Sequence, residues 1–194
     1  MTTATTTRRS TPPTAGFTAS TAAGDAPTSP ALSTAGLITI LVGVLLPLID
    51  FFIVNVALPT MQHDLHATTA LLELVVSGYA TSYAVLLVLG GRLGDAHGRK
   101  RLFLIGIAAF TITSLLCGIA PSATTLVIAR VLQGASAALM VPQTLSTIQA
   151  TGNPASRSKA LGWYGATGGL AAVTGQLLGG VLVSANIGGS GWRA

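Results

Sequence analysis

Charge is scarce in this chain: Asp, Glu, Lys and Arg make up 8% of its 194 residues, and aromatic residues only 5%. With half the residues apolar and a mean hydropathy of +0.69, too little polar surface remains to cover a soluble domain, and a membrane protein is expected. A single cysteine, Cys117, excludes an internal disulfide and a cysteine metal cluster; lying inside an apolar run, it reads as a small buried hydrophobe. Five acids face ten Lys and Arg. In a soluble protein that balance would suggest nucleic acid, but these cations sit in gaps between apolar runs with few aromatics to stack bases, so no nucleic-acid partner is expected. The chain also lacks a nucleophile elbow, a phosphate loop and a set of ligands at metal spacing. His63 and His66, beside Asp64, read as solvated. No cofactor, metal or enzyme activity is expected.

What the sequence has instead is five apolar runs, at roughly 36–58, 70–90, 102–120, 124–148 and 160–184. About 20 apolar residues cross a bilayer as a helix, and only helices satisfy their own backbone in lipid, so the fold class is an all-α polytopic membrane protein with five spans. Residues 1–34, rich in Thr, Ser, Ala and Pro, cannot bury enough surface to repay ordering and read as a disordered tail. Orientation follows from the cations. Arg8 and Arg9 lie in the tail, Arg92, Arg99, Lys100 and Arg101 follow the second run, and Arg157 and Lys159 follow the fourth. The alternate connections, Pro59 to Thr69 and Pro121 to Ser122, have none. Lys and Arg resist translocation, so the N-terminus is expected in the cytoplasm of a plasma-membrane protein, with Arg193 the one cation outside.

An ionisable residue at mid-span costs about 2.5–3.5 kcal/mol on insertion scales and calls for a reason. Asp50 and Arg130 are such residues. Asp50 lies about eight residues before the outer end of the first run and Arg130 about six after the outer start of the fourth, so at ~1.5 Å per residue both are ~9–12 Å deep. They are expected to face one cavity, either as a structural ion pair or as a coupling site for ions or substrate. Pro47 frees the carbonyl of Gly43 one turn from Asp50, and a kinked polar patch of that kind suits a relay. Gln133 and Asn55 add neutral polar groups, although Asn55 is off the face of Asp50. Glu73 reads as a solvated helix end.

Between the second and third runs stands "GRLGDAHGRKRL", Gly91 to Leu102. Gly91, Gly94 and Gly98 suit a turn joining two packed helices, and Asp95 is expected near the start of the third helix, where the helix dipole and Arg99 favour an anion. In the fifth run, "GLAAVTGQLLGGVL", Ala171, Gly175 and Gly179 form a smooth stripe that Gly180 widens, with Gln176 adding one polar group. "LGGRL" (Leu89 to Leu93) and "LGGVL" (Leu178 to Leu182) are faintly alike, and Pro142 lies beyond Arg130 as Pro47 lies near Asp50. The pattern predicts three-helix units repeated with inverted topology, the second lacking its third helix.

The stretch from Gly91 to Leu102 resembles the signature loop of the major facilitator superfamily. "LIDFFIVNVALP" (Leu48 to Pro59) is similar to the helix-one motif of its fourteen-helix drug and proton antiporter branch, "LVIARVLQGASAA" (Leu126 to Ala138) to the helix-four motif, and "GQLLGG" (Gly175 to Gly180) to the helix-five antiporter motif. Gln176 stands where that last motif has Pro, and Ala171 where it has an earlier Gly. The resemblance implies most of an N-terminal six-helix bundle, residues 35–194, truncated before helix six, with "GWRA" as the start of the next helix. It implies efflux of small amphiphilic compounds in exchange for protons, with Asp50 and Arg130 in coupling, Gly91, Asp95, Gly98, Arg99 and Lys100 in a gating loop, and Gly175, Gln176, Gly179 and Gly180 in the antiporter motif. The implied partners are the lipid bilayer, a small-molecule substrate, protons and a C-terminal half absent from this chain. The alternative is a truncated membrane protein that transports nothing and acts, if at all, by helix association.

Overall fold

The computed structural model describes residues 33–151, 153–185 and 191–193. The expected tail lies almost wholly outside the described residues. Five helices follow one another: α1 (Thr34–Leu65), α2 (Thr69–His97), α3 (Arg99–Gly118), α4 (Ala123–Gln149) and α5 (Pro154–Ala185), with a 3-10 turn at Gly191–Arg193. No strand occurs among the described residues. All five are long and apolar enough to cross a membrane.

All the helices but α3 begin where the sequence supplies a side-chain oxygen for orphan backbone N–H groups. Ser33 accepts from Gly36 N, Thr68 from Leu71 N, Ser122 from Thr125 N, and Asn153 from Ala155 N and Ser156 N. Their ends overrun the apolar runs. α1 passes through Pro59 to Leu65 and closes on His66 at φ 48°, so Asp50 stands near mid-helix rather than eight residues from the end.

α2 likewise continues through the whole of Gly91 to His97. The three-glycine turn expected there is therefore corrected to a single residue: Gly98 alone has positive φ, at 94°, and caps α2 and α3 together. Asp95 sits in the last turn of α2, not at the start of α3.

α4 is the most enclosed helix, packed along α2 and α3, while α5 packs along α1 and the two groups touch each other less. Both long contacts depend on missing side chains. A Cβ on Gly90 or Gly94 of α2 would overlap Ala138 O or the Gln143 amide of α4. A Cβ on Gly175 of α5 would come within 2.7 Å of Phe52 Cβ, and one on Gly179 within 3.2 Å of Val56 Cβ, both on α1. Gly90 and Gly179 are matching positions in "LGGRL" and "LGGVL", so the faint internal similarity corresponds to like packing roles. Gly180 meets nothing within 4 Å and does not widen the contact, correcting the expectation for it.

The distribution of polarity is inverted relative to a soluble domain. Val85, Val88, Leu115 and Val181 face outward at 63% exposure or more, whereas Arg130, Gln133, Gln143 and Thr144 are enclosed. Apolar side chains face the hydrocarbon and the polar ones meet inside.

Candidate functional site: a buried charge pair

The structure brings Asp50 of α1 and Arg130 of α4 into one network. Arg130 Nη1 donates to Asp50 Oδ2 at 2.5 Å and to Gln133 Oε1 at 2.6 Å, and Gln133 Nε2 donates to Asp50 Oδ1 at 3.0 Å. Gln133 follows Arg130 by three residues, so one face of α4 presents both. The carboxylate thus has a partner on each oxygen, which is what a charge in a low-dielectric interior requires. Asn55 is turned elsewhere and donates to Phe51 O of its own helix.

α2 holds the arginine from a second side. Arg130 Nε donates to Val75 O at 3.3 Å, and its guanidinium carbon lies 4.2 Å from the centroid of the Tyr79 ring. Tyr79 Oη in turn donates to Pro47 O at 3.3 Å, one turn before Asp50. The backbone of Tyr79 comes this close to α4 because position 134 is glycine, where a Cβ would overlap Tyr79 O. Neither Tyr79 nor Val75 is a sequence-stated candidate. A phenol in the middle of an apolar run was the available signal, but the contact of α2 with α4 that gives it meaning is a tertiary fact. Cys117 is half-buried, and its thiol donates to Gln133 Oε1 at 3.5 Å, so the thiol borders the site.

A cavity of about 590 Å³ opens beside the pair, lined by Leu46, Asp50, Ser114, Cys117, Arg130 and Trp192 among others. The two charges are unequally enclosed: the Arg130 side chain is 1% exposed and that of Asp50 20%. A guanidinium keeps its proton, whereas a carboxylate can carry one or give it up. The exposed member is therefore the one able to exchange a proton or meet a cationic group from the cavity.

The second predicted cluster is at the other end of α4. Arg99 donates through Nε and Nη2 to Asp95 Oδ1 at 3.3 and 3.1 Å, and through Nη1 to Ser146 O at 3.0 Å. One side chain thus joins α2, α3 and the last turn of α4, whose orphan carbonyls attract cations. Lys100 is exposed, and Gly91 lies 3.8 Å, by its missing Cβ, from Pro142. Gln143 supports this end, donating to Gly90 O and Leu139 O from a fully buried position. From Arg130 to Ser146 is 16 residues of α4, so at ~1.5 Å per residue the two clusters are ~24 Å apart. The third predicted group divides. Gly175 and Gly179 are buried against the α1 flank beside Asp50, while Gln176 is exposed.

Comparison with known proteins identifies relatives. The family model described as Major Facilitator Superfamily matches residues 40–194. Relatives include a probable actinorhodin transporter of Streptomyces coelicolor, 42% identical over 150 residues, which are 77% of this chain and 26% of the relative. The puromycin resistance protein of Streptomyces alboniger is 44% identical over 148 residues, 76% of this chain and 29% of its own length. The tetracenomycin C resistance and export protein of Streptomyces glaucescens is 37% identical over 158 residues, 81% and 29%. The chain therefore spans under a third of the length of these relatives.

Proposed function

Since the chain belongs to the major facilitator superfamily, we propose that it supplies the first membrane bundle of a plasma-membrane exporter that expels small amphiphilic compounds, antibiotics among them, in exchange for protons. The observation that carries this reading is the Asp50–Arg130 pair, enclosed on the arginine side and open to a cavity on the carboxylate side. Relatives named for antibiotic export and resistance support the choice of cargo.

In this mechanism Asp50 is the group that changes protonation. Its two hydrogen bonds, from Arg130 and Gln133, hold the anion. Taking a proton removes the attraction to Arg130, and the buried guanidinium then has Gln133, Val75 O and the Tyr79 face to rely on. α1 is left free to shift against α4. The Asp95–Arg99–Ser146 junction acts as the cytoplasmic gate, closing against a second bundle contributed by the rest of the transporter. The cations at 92, 99, 100, 101, 157 and 159 support a cytoplasmic location for that end.

The test is a chimera in which residues 40–194 replace the matching segment of the Streptomyces alboniger puromycin resistance protein. It is expected to confer puromycin resistance and to expel the drug only while a proton gradient stands. Asp50→Asn and Arg130→Ala are expected to abolish export in chimeras that still insert. An inserted chimera that confers no resistance, or full export without Asp50, overturns the proposal.

A further inference from the structure

Arg130 is gripped by two helices that belong to different packing groups. Its Nε and its ring-stacked face belong to α2, through Val75 O and Tyr79, while its Nη1 edge belongs to α1, through Asp50. α2 is packed tightly along α4, the helix that bears Arg130, and α1 is packed tightly along α5. Where these two units meet, the side-chain hydrogen bonds crossing from α2 or α4 to α1 among the described residues are those of Arg130 and Gln133 to Asp50, Tyr79 to Pro47 O, and Thr144 to Ile40 O at 3.4 Å. Three of the four involve the charge network or the residue stacked on it. Among the described residues, Tyr79 both stacks on the guanidinium and hydrogen-bonds the α1 backbone.

We infer that Tyr79 is a positioning residue for the charge pair: its ring keeps the Arg130 guanidinium on the α2 side of the seam whether or not Asp50 is charged, and its hydroxyl ties α1 at Pro47. This deepens the proposed export mechanism and rests on it for its purpose. A guanidinium held only by a carboxylate would follow that carboxylate, or collapse onto another acceptor, once the charge was gone. A π face offers an attraction that does not depend on Asp50 and does not use any of the N–H groups. The buried Nη2 has no hydrogen-bond partner among the described residues, so the ring face adds a contact to a guanidinium otherwise held through Nε and Nη1. The moving part is then α1, with α5 packed on it, and the arginine is the stationary electrode it approaches and leaves.

Fluorination separates this role from space filling, because it drains the negative face of a ring while hardly changing its size. The whole chain is purified, returned to lipid vesicles, and prepared with Phe, then mono-, di- and trifluorophenylalanine at position 79. The reporter is Cys117, the sole cysteine, alkylated by a maleimide at fixed pH; its thiol and Arg130 both donate to Gln133 Oε1, so a loosened arginine leaves that acceptor to the thiol, withdraws a neighbouring cation and slows the reaction. The expected result is a stepwise slowing along the series of about two- to fivefold in all, with the same trend in an Asp50→Asn background. A flat series overturns the ring role, and a trend that disappears with Asp50→Asn overturns its independence of the carboxylate. The Tyr79→Phe rate against wild type reads the hydroxyl tie: a slowing supports it, and an equal or faster rate removes it. Should Tyr79→Phe not fold, fluorinated tyrosines carry the same series with the hydroxyl kept. The thiol assay needs no transport, so a failed series leaves the export reading standing, and a silent chimera leaves the series interpretable.

Discussion

Arg130 and Asp50 bond at 2.5 Å, yet the aspartate is much the more exposed of the two, and this inequality makes the two removals unequal. Asp50→Leu strands a guanidinium that cannot shed its charge, for which about 3–5 kcal/mol of destabilisation is expected. Arg130→Leu leaves a carboxyl that keeps Gln133 Nε2 and can take a proton, so its cost is expected to be smaller, about 1–3 kcal/mol. Thermal unfolding in detergent checks the order. A larger loss for Arg130→Leu would mean that the contacts of the arginine to α2 outweigh its contact to Asp50.

The α2–α4 seam predicts a rescue. Gly94→Ala places a methyl where the Gln143 amide lies, and overpacking of this kind costs about 1–3 kcal/mol. Truncating the obstacle in Gly94→Ala/Gln143→Ala is expected to recover part of that loss. At Gly90 the obstacle is Ala138 O, a backbone atom, so Gln143→Ala is expected to give Gly90→Ala no relief. A double-mutant cycle for each pair, read by unfolding temperature, distinguishes the two.

Gly98 and Gly91 lie in the same motif and are constrained differently. At φ 94° and ψ 123°, Gly98 occupies a backbone region that suits glycine, although a Cβ there meets nothing, so Gly98→Ala is expected to cost about 1–3 kcal/mol through strain alone. Gly91 is inside α2, and its added methyl makes an ordinary 3.8 Å contact with Pro142 Cβ. Helix propensity favours alanine there by up to about 1 kcal/mol. Gly91→Ala is therefore expected to be neutral or stabilising. Equal losses for both variants in an unfolding assay would contradict the single-residue turn.

These glycines show where legibility ended. Apolar runs give the number of spans, and the cost of a mid-span charge singles out Asp50 and Arg130 before any contact is known. Gly91, Gly94 and Gly98, however, look alike in one dimension, and nothing local says that one makes a turn while another seats a glutamine from a helix some fifty positions later. Tyr79 and Gln143 stayed hidden for the same reason: a hydroxyl or amide in an apolar run states a need for a partner without naming it. The ends of α1 and α2 were misjudged because hydropathy marks the extent of the lipid, whereas the caps at His66 and Gly98 mark the extent of the helix.

Gly175 links the α5 stripe to the charge pair and gives the sharpest separation of stability from mechanism. A Cβ there would lie 2.7 Å from Phe52 Cβ and 2.9 Å from Ile49 O, the residues flanking Asp50 on α1. Neither Phe52 Cβ, bonded directly to the backbone, nor the carbonyl at 49 can yield without moving the helix, so Gly175→Ala is expected to push α1 and α5 apart near the carboxylate. Gly180→Ala, five residues on and facing open space, is its control and is expected to change nothing measurable. In the puromycin chimera, Gly175→Ala is expected to reduce export at least tenfold for an unfolding loss of only about 1–3 kcal/mol, because a shift of about 1 Å in a reacting group is enough to cost ~100-fold in rate. Drug efflux from loaded cells, measured beside unfolding of the same two variants, checks this; a Gly175→Ala chimera as active as Gly180→Ala would confine the stripe to packing.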